Sequence, residues 1–223
     1  MKFFLKPVSW ISLLFLFACG GGSSLSDAEI INPITSPTPN DLPECNPSGY
    51  EKTLYCTYTR LGLDREFYVY VPDDIYSKTS NPPLLFNLHG YRRQAIDFLG
   101  YSGFQILADE DKFIVIHPQG SILPSSGEPH WNDTGWSSES PADDVDFISS
   151  LIDWGLTNYQ INPNRVYATG KSNGGKMSYH LACNLRYRIA GVASVGGTMN
   201  PNTYSSCNPS HPTPIIHIHS EDD

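Results

Sequence analysis

Apolar residues in this chain come in short dense runs separated by polar, Gly- and Pro-rich stretches, and two periods alternate along it. Residues 66–71, Glu-Phe-Tyr-Val-Tyr-Val, predict a strand, and residues 84–88, Leu-Leu-Phe-Asn-Leu, form a nearly continuous apolar run that ends in His89 and Gly90. Buried strands read this way. The spacing predicts a helix over 104–112, then a strand over 113–116, then a long polar loop over 119–140 that carries Trp131 and Trp136. Ser140 as N-cap, Pro141 in the first turn and Asp143 near the positive helix end predict the next helix start. Val145, Ile148, Leu151, Ile152, Leu156 and Tyr159 share one face of that helix, which should stop before Asn162 and Pro163. A strand over 165–170 runs directly into Lys171, Ser172, Asn173, Gly174 and Gly175, after which Met177, Leu181 and Leu185 keep a helical stripe. Strands over 189–195 and 214–219 follow. Strands and helices alternating at these lengths predict an α/β fold with a largely parallel central sheet.

The first residues follow another logic. Lys2 and Lys6 precede an apolar run from 8 to 18, and Cys19 comes next, the layout of an export signal. Residues 16–20, Leu-Phe-Ala-Cys-Gly, resemble a bacterial lipobox, whose Cys is acylated; an ordinary cleaved signal is the alternative. Residues 20–44 hold Gly, Ser and four prolines among polar residues, a composition unable to bury enough surface to order itself. The expected division is therefore a lipoprotein signal and lipobox over 1–19, a disordered tether over 20–44, and one folded domain over 45–223. Such a chain is exported and lipid-anchored at the bacterial cell surface or periplasm, or else secreted.

Composition narrows the function. The chain has 223 residues with 14 Lys and Arg against 23 Asp and Glu, a net charge of −9, and no basic block. Too few cations exist to neutralise a phosphate backbone, so nucleic acid is not an expected partner. Beyond the leader no run approaches the roughly 18 apolar residues of a spanning helix, so contact with a membrane is expected only through the lipid. Setting Cys19 aside leaves Cys45, Cys56, Cys183 and Cys207 for an oxidising compartment. Of the three possible pairings, proximity favours Cys45 with Cys56 and Cys183 with Cys207. No C-x-x-C spacing supports zinc.

The chemistry gathers at Ser172. Residues 170–174, Gly-Lys-Ser-Asn-Gly, match G-x-S-x-G, a turn in which flanking glycines leave room for a strained backbone that exposes the serine hydroxyl. A strand before it and a helix after it supply the context that the short motif needs. The backbone N–H of Asn173 would lie at a helix N-terminus, suited to an oxyanion. A second donor is expected from Tyr91 or a neighbour after the strand end at His89 and Gly90. For His89 itself, a structural turn residue and a triad base are the two readings; the base follows the acid in this fold, which favours the turn. The acid is expected at the tip of the last strand, at Asp223 or Asp222. His217 and His219 share a strand face beside these acids. Core-facing histidines are expected there rather than metal ligands, since no third ligand is evident. Trp131 and Trp136 either stack on a sugar or aromatic acyl group or anchor the loop.

From about Arg65 to Asp223 the chain resembles the secreted esterases that group polyhydroxybutyrate-depolymerase-like proteins with feruloyl and acetylxylan esterases, within the α/β-hydrolase fold. The similar stretches are 83–90, 114–120, 143–148 and 162–175. Cys183 and Cys207 fall where that family tends to place a disulfide. Its last strand usually runs into His-Gly-Thr-x-Asp, and aligning that turn with residues 219–223 implies Asp223 as the acid, with Ser220 in place of Gly and Tyr91 where Cys is common. The resemblance implies a serine carboxylic-ester hydrolase without cofactor, acting through an acyl-enzyme on polysaccharide-linked esters, feruloyl or acetyl, or on short polyhydroxyalkanoate-type polyesters. No histidine follows Asp223 in this sequence. The expectation is a gene product cut short before its base, with hydrolysis correspondingly slow. A surface lipoprotein binding glycan or a protein partner on the same scaffold is the alternative.

Overall fold

The apolar runs build one sheet. A computed structural model describes residues 42–209 and 211–221. The leader with Cys19, the tether residues 20–41 and both acid candidates, Asp222 and Asp223, lie outside the described residues. The chain forms β1 (Glu44–Pro47), β2 (Thr53–Arg60), β3 (Leu63–Tyr70), β4 (Leu84–Leu88), α1 (Ala95–Tyr101), α2 (Phe104–Asp111) and β5 (Ile114–Pro118). A small hairpin, β6 (Ile122–Leu123) and β7 (Glu128–Pro129), precedes α3 (Asp144–Tyr159) and β8 (Val166–Lys171). Then come α4 (Asn173–Asn184), β9 (Gly191–Val195), α5 (Pro201–Ser206) and β10 (Ile215–Ile218).

The strand order is β1-β2-β3-β5-β4-β8-β9-β10. The five strands from β5 to β10 are mutually parallel, and β1, β2 and β3 add an antiparallel margin. This is the α/β sheet that the alternating pattern predicts, with the antiparallel margin built largely from a segment that carried no strand expectation. Cys45 stands opposite Cys56 in the β1–β2 register, and the two are joined; Cys183 and Cys207 are joined as well, tying α4 to the end of α5.

Alternation along each strand divides the core. Leu84 and Phe86 of β4, Ile114 and Ile116 of β5, and Val166 and Ala168 of β8 pack with Phe147, Ile148, Leu151 and Ile152 of α3 and Met177 and Leu181 of α4. Val115 and Tyr70 point to the opposite face, against Ala108 of α2. Each fully buried Leu, Ile or Phe contributes about 1.5–3 kcal/mol, so the central strands carry most of the cohesion.

Two local expectations need correction, and the polar loop proves to have a buried centre. The N-cap of α3 is Asp143, whose carboxylate accepts the Asp146 N–H at 2.8 Å, and not Ser140, whose hydroxyl is spent on the Ala142 N–H of the preceding turn. A carboxylate at that position satisfies an amide and the helix dipole together. The loop over 119–140 is polar in sequence but its Trp131, Asp133 and Ser137 are fully buried, held by hydrogen bonds rather than by apolar packing alone. His217 of the edge strand β10 and His219 just after it are exposed, their rings stacked at 5.2 Å, instead of facing the core. His217 Nδ1 pairs with the Tyr179 hydroxyl at 2.8 Å.

Candidate active site

The sheet reverses its winding at β4. From β4 the chain crosses to β5 on one side, and from β5 it crosses back over β4 to β8 on the other. The carboxyl ends of β4 and β8 therefore border a crevice, the usual place for ligands in an open parallel sheet. His89 and Gly90 leave β4 there, and Ser172 leaves β8.

Ser172 has φ 54° and ψ −115°, a backbone region that L-residues rarely occupy. Such strain, of order 1–3 kcal/mol, persists only where neighbours over-determine it. The neighbours are visible. The Ser172 N–H donates to the Val195 carbonyl at 2.7 Å and its own carbonyl accepts the Lys176 N–H at 3.0 Å. A Cβ on Gly170 would come within 2.4 Å of the Gly174 backbone, and one on Gly174 within 2.3 Å of the Leu88 carbonyl oxygen. Both glycines of the G-x-S-x-G motif are thus required by contact. The first lets β8 touch α4, and the second lets α4 touch the end of β4.

The side chain of Ser172 is exposed, and its hydroxyl makes no hydrogen bond to any described residue. It opens into a pocket of about 450 Å³ lined by Gly90, Tyr91, Arg93, Phe98, Tyr101 and Lys171, among others. A Cβ on Gly90 would sit 3.7 Å from Ser172 Cβ, so the chain leaving β4 runs beside the serine. Tyr91 follows directly. Asn173 begins α4, so its N–H belongs to the first helical turn, where amides lack intrahelical acceptors. The structure brings Ser172, Tyr91 and Asn173 together. Asp223 falls outside the described residues, and no described histidine bonds to Ser172 Oγ.

His89 is fully buried. Its Nδ1 bonds the Gly90 carbonyl at 2.8 Å and its Nε2 accepts the Gly120 N–H at 2.9 Å. That pattern fixes the neutral tautomer with the proton on Nδ1. Burial pushes its pKa down to about 4. With both nitrogens engaged by backbone, His89 shapes the turn that presents Tyr91.

The two tryptophans differ. Trp131 is 0% exposed, and its indole N–H donates to the His89 carbonyl at 2.9 Å, so it offers no face to a ligand. Trp136 is half-exposed and meets Tyr91, a residue of the serine pocket, edge to face at 4.8 Å.

Two features escaped the sequence reading. The Asn173 side chain, 2% exposed, accepts the Trp131 N–H at 2.7 Å and donates to the Trp131 carbonyl at 3.1 Å, clamping the loop to the serine turn. Arg65, only 3% exposed, donates to Asp144 at 2.5 Å, whose other oxygen accepts the Asn132 N–H at 2.8 Å. These partners lie 42 and 79 positions apart, beyond the reach of any local pattern. Among the described residues no cluster of three or more His, Cys, Asp or Glu is placed to hold a metal ion.

Comparison with known proteins accords with this geometry. Residues 78–223 match the phospholipase/carboxylesterase family. The chain is 30% identical over 172 residues to a bifunctional acetylxylan esterase/xylanase of Neocallimastix patriciarum, covering 77% of this chain and 23% of that protein. It is 27% identical over 144 residues to acetylxylan esterase A of Emericella nidulans, covering 64% and 45%. It is 30% identical over 119 residues to poly(3-hydroxyalkanoate) depolymerase C of Paucimonas lemoignei, covering 53% and 28%. The chain thus spans less than half the length of each of these relatives. In fold it is similar to a thermostable esterase of known structure, with a TM-score of 0.56 at 21% identity, covering 78% of this chain and 47% of that one. More than half of the sequence matches, and the sheet carries the matching topology: the chain belongs to the phospholipase/carboxylesterase family of the α/β-hydrolase fold.

Proposed function

We propose that this chain is an exported serine carboxylic-ester hydrolase, tethered to the membrane through an acylated Cys19 and residues 20–44. The observation that carries the reading is the Ser172 backbone, held at φ 54° and ψ −115° with its hydroxyl open to a pocket beside Tyr91. Ser172 Oγ attacks the ester carbonyl and gives up its proton to water, since no described histidine reaches it to act as the base that Asp223 would orient, which makes the step slow. The N–H groups of Tyr91 and Asn173 receive the oxyanion that forms. Collapse breaks the ester C–O bond, water protonates the departing alcohol, and a further water then releases the acid from Ser172. The two disulfides fit an oxidising compartment. The relatives named above support a substrate class of polysaccharide-linked acetyl esters or polyhydroxyalkanoate-type polyesters, with feruloyl esters the further member of that class and Trp136, packed on Tyr91, as the aromatic contact. Slow hydrolysis of p-nitrophenyl acetate by the chain, lost on Ser172→Ala at unchanged folding, is the expected result; hydrolysis that survives Ser172→Ala defeats the reading.

A further inference from the structure

A second groove, of about 750 Å³, lies between the β2–β3 hairpin and the loop after β5. Its lining is unlike that of the serine pocket. Thr57, Thr59, Asp64 and Glu66 enter it from the two strands, and Gln119 and Ser121 from the loop. The carboxylates are acceptors held in place: Asp64 accepts the Thr59 hydroxyl at 3.1 Å and Glu66 the Tyr55 hydroxyl at 2.5 Å. Thr57, exposed on the same strand face, adds a hydroxyl that can donate and accept. Exposed Ile122, with Pro129, adds an apolar strip.

This combination selects among ligand chemistries. Asp64 and Glu66 oppose anions, and the charge of Arg65 is already taken by Asp144. An apolar polyester would cover the carboxylates and the Thr57 hydroxyl without pairing them. A sugar hydroxyl both donates and accepts, so it can serve the carboxylates and the exposed Thr57 hydroxyl alike, while the C–H face of the ring lies on Ile122. Position adds a reason. Gln94 on the groove rim donates its N–H to Asp97 at 3.1 Å, and Asp97 lines the Ser172 pocket. Pro129 in the groove wall accepts the N–H of Arg92, the residue after Tyr91, at 3.0 Å. Groove and pocket thus adjoin across residues 91–97.

We infer that this groove binds a neutral oligosaccharide chain and holds it so that an ester on a neighbouring sugar reaches Ser172. The inference deepens the hydrolase reading and rests on it for the purpose of the groove, though not for the binding itself. Titration calorimetry of the full chain with neutral hexasaccharides (xylo-, cello- and manno-), trigalacturonate and a 3-hydroxybutyrate trimer tests it. At least one hexasaccharide should bind wild type and Ser172→Ala equally, and at least tenfold more tightly than either control ligand. Thr57→Trp, which fills the groove from an exposed position, and Asp64→Ala should each weaken that binding at least tenfold. Both should leave p-nitrophenyl acetate turnover unchanged, since neither touches the serine pocket. Absence of hexasaccharide binding, equal binding of trigalacturonate or the trimer, or affinity indifferent to both variants overturns the inference. Groove-dependent binding in a chain without esterase activity would uphold the groove and sink the hydrolase reading instead.

Discussion

Replacing Asn173 by Ala probes how the serine turn is fastened to the rest of the fold. The side chain makes two hydrogen bonds to the backbone of Trp131, which is fully buried. The two are not equivalent. The Trp131 carbonyl also accepts the Ser137 hydroxyl at 3.0 Å and so keeps a partner after the change. The Trp131 N–H has no other acceptor among the described residues and would be stranded out of water. A stranded buried donor costs about 1–3 kcal/mol, and the second lost bond about 0.5–1.5 kcal/mol. The total is about 2–4 kcal/mol, a large fraction of the stability of a typical domain. At about 2–4 °C per kcal/mol for a chain of this size, the melting temperature should fall by on the order of 10 °C. Ser137→Ala is the comparator. It removes one of three donors to the same carbonyl and should cost about 1 kcal/mol. Urea unfolding at pH 7.5, with midpoints and slopes compared, reads both. An Asn173→Ala loss below about 1 kcal/mol, or no larger than that of Ser137→Ala, refutes the clamp.

Other consequences are accessible to the same methods. Ser172→Gly should unfold at higher urea than Ser172→Ala, by about 0.5–2 kcal/mol, because Gly relaxes the positive φ that Ala would still strain while losing more chain entropy; equal midpoints would deny the strain. Burial holds His89 down to about 4 and His117 to about 3, both below the usual 6.5, so between those values the unfolded chain binds more protons than the folded one. Stability should therefore be full above pH 6.5 and fall as pH drops toward 4, with a slope approaching about 1.4 kcal/mol per pH unit for each histidine. Unfolding midpoints that stay constant from pH 7.5 to 4.5 would contradict it. Cys183→Ser with Cys207→Ser opens a loop of sequence separation 24 and should lower stability by about 3–4 kcal/mol on loop-closure entropy. A loss under about 1 kcal/mol would show that the α4–α5 tie constrains little.

What the sequence made legible was whatever is written locally. The run at 84–88, the strand-turn-helix at 166–184 and the stripe of α3 each carry their period in consecutive residues, and each formed where expected. Both glycines of the serine motif proved necessary by contact with backbone, which is why the motif can be read at all. The short α1 escaped because its seven residues span barely two turns, too few for a stripe to stand out. The start of α3 was misread by three residues because Ser140, Asp143 and Asp144 all suit a helix N-terminus. The choice among them was made by Arg65, which takes Asp144 into the interior from another strand. The Asn173 clamp and the burial of the polar loop share that cause. Polar residues inside a protein are chosen by partners far along the chain, and composition marks them only as surface.

The account stands on Ser172 as the nucleophile. Treatment of the folded full chain with a fluorophosphonate, followed by digestion and peptide mass mapping, asks this directly. One phosphonylated site is predicted, at Ser172, absent from Ser172→Ala. A chain that hydrolyses esters yet is labelled at another residue, or carries no label at Ser172, contradicts the account.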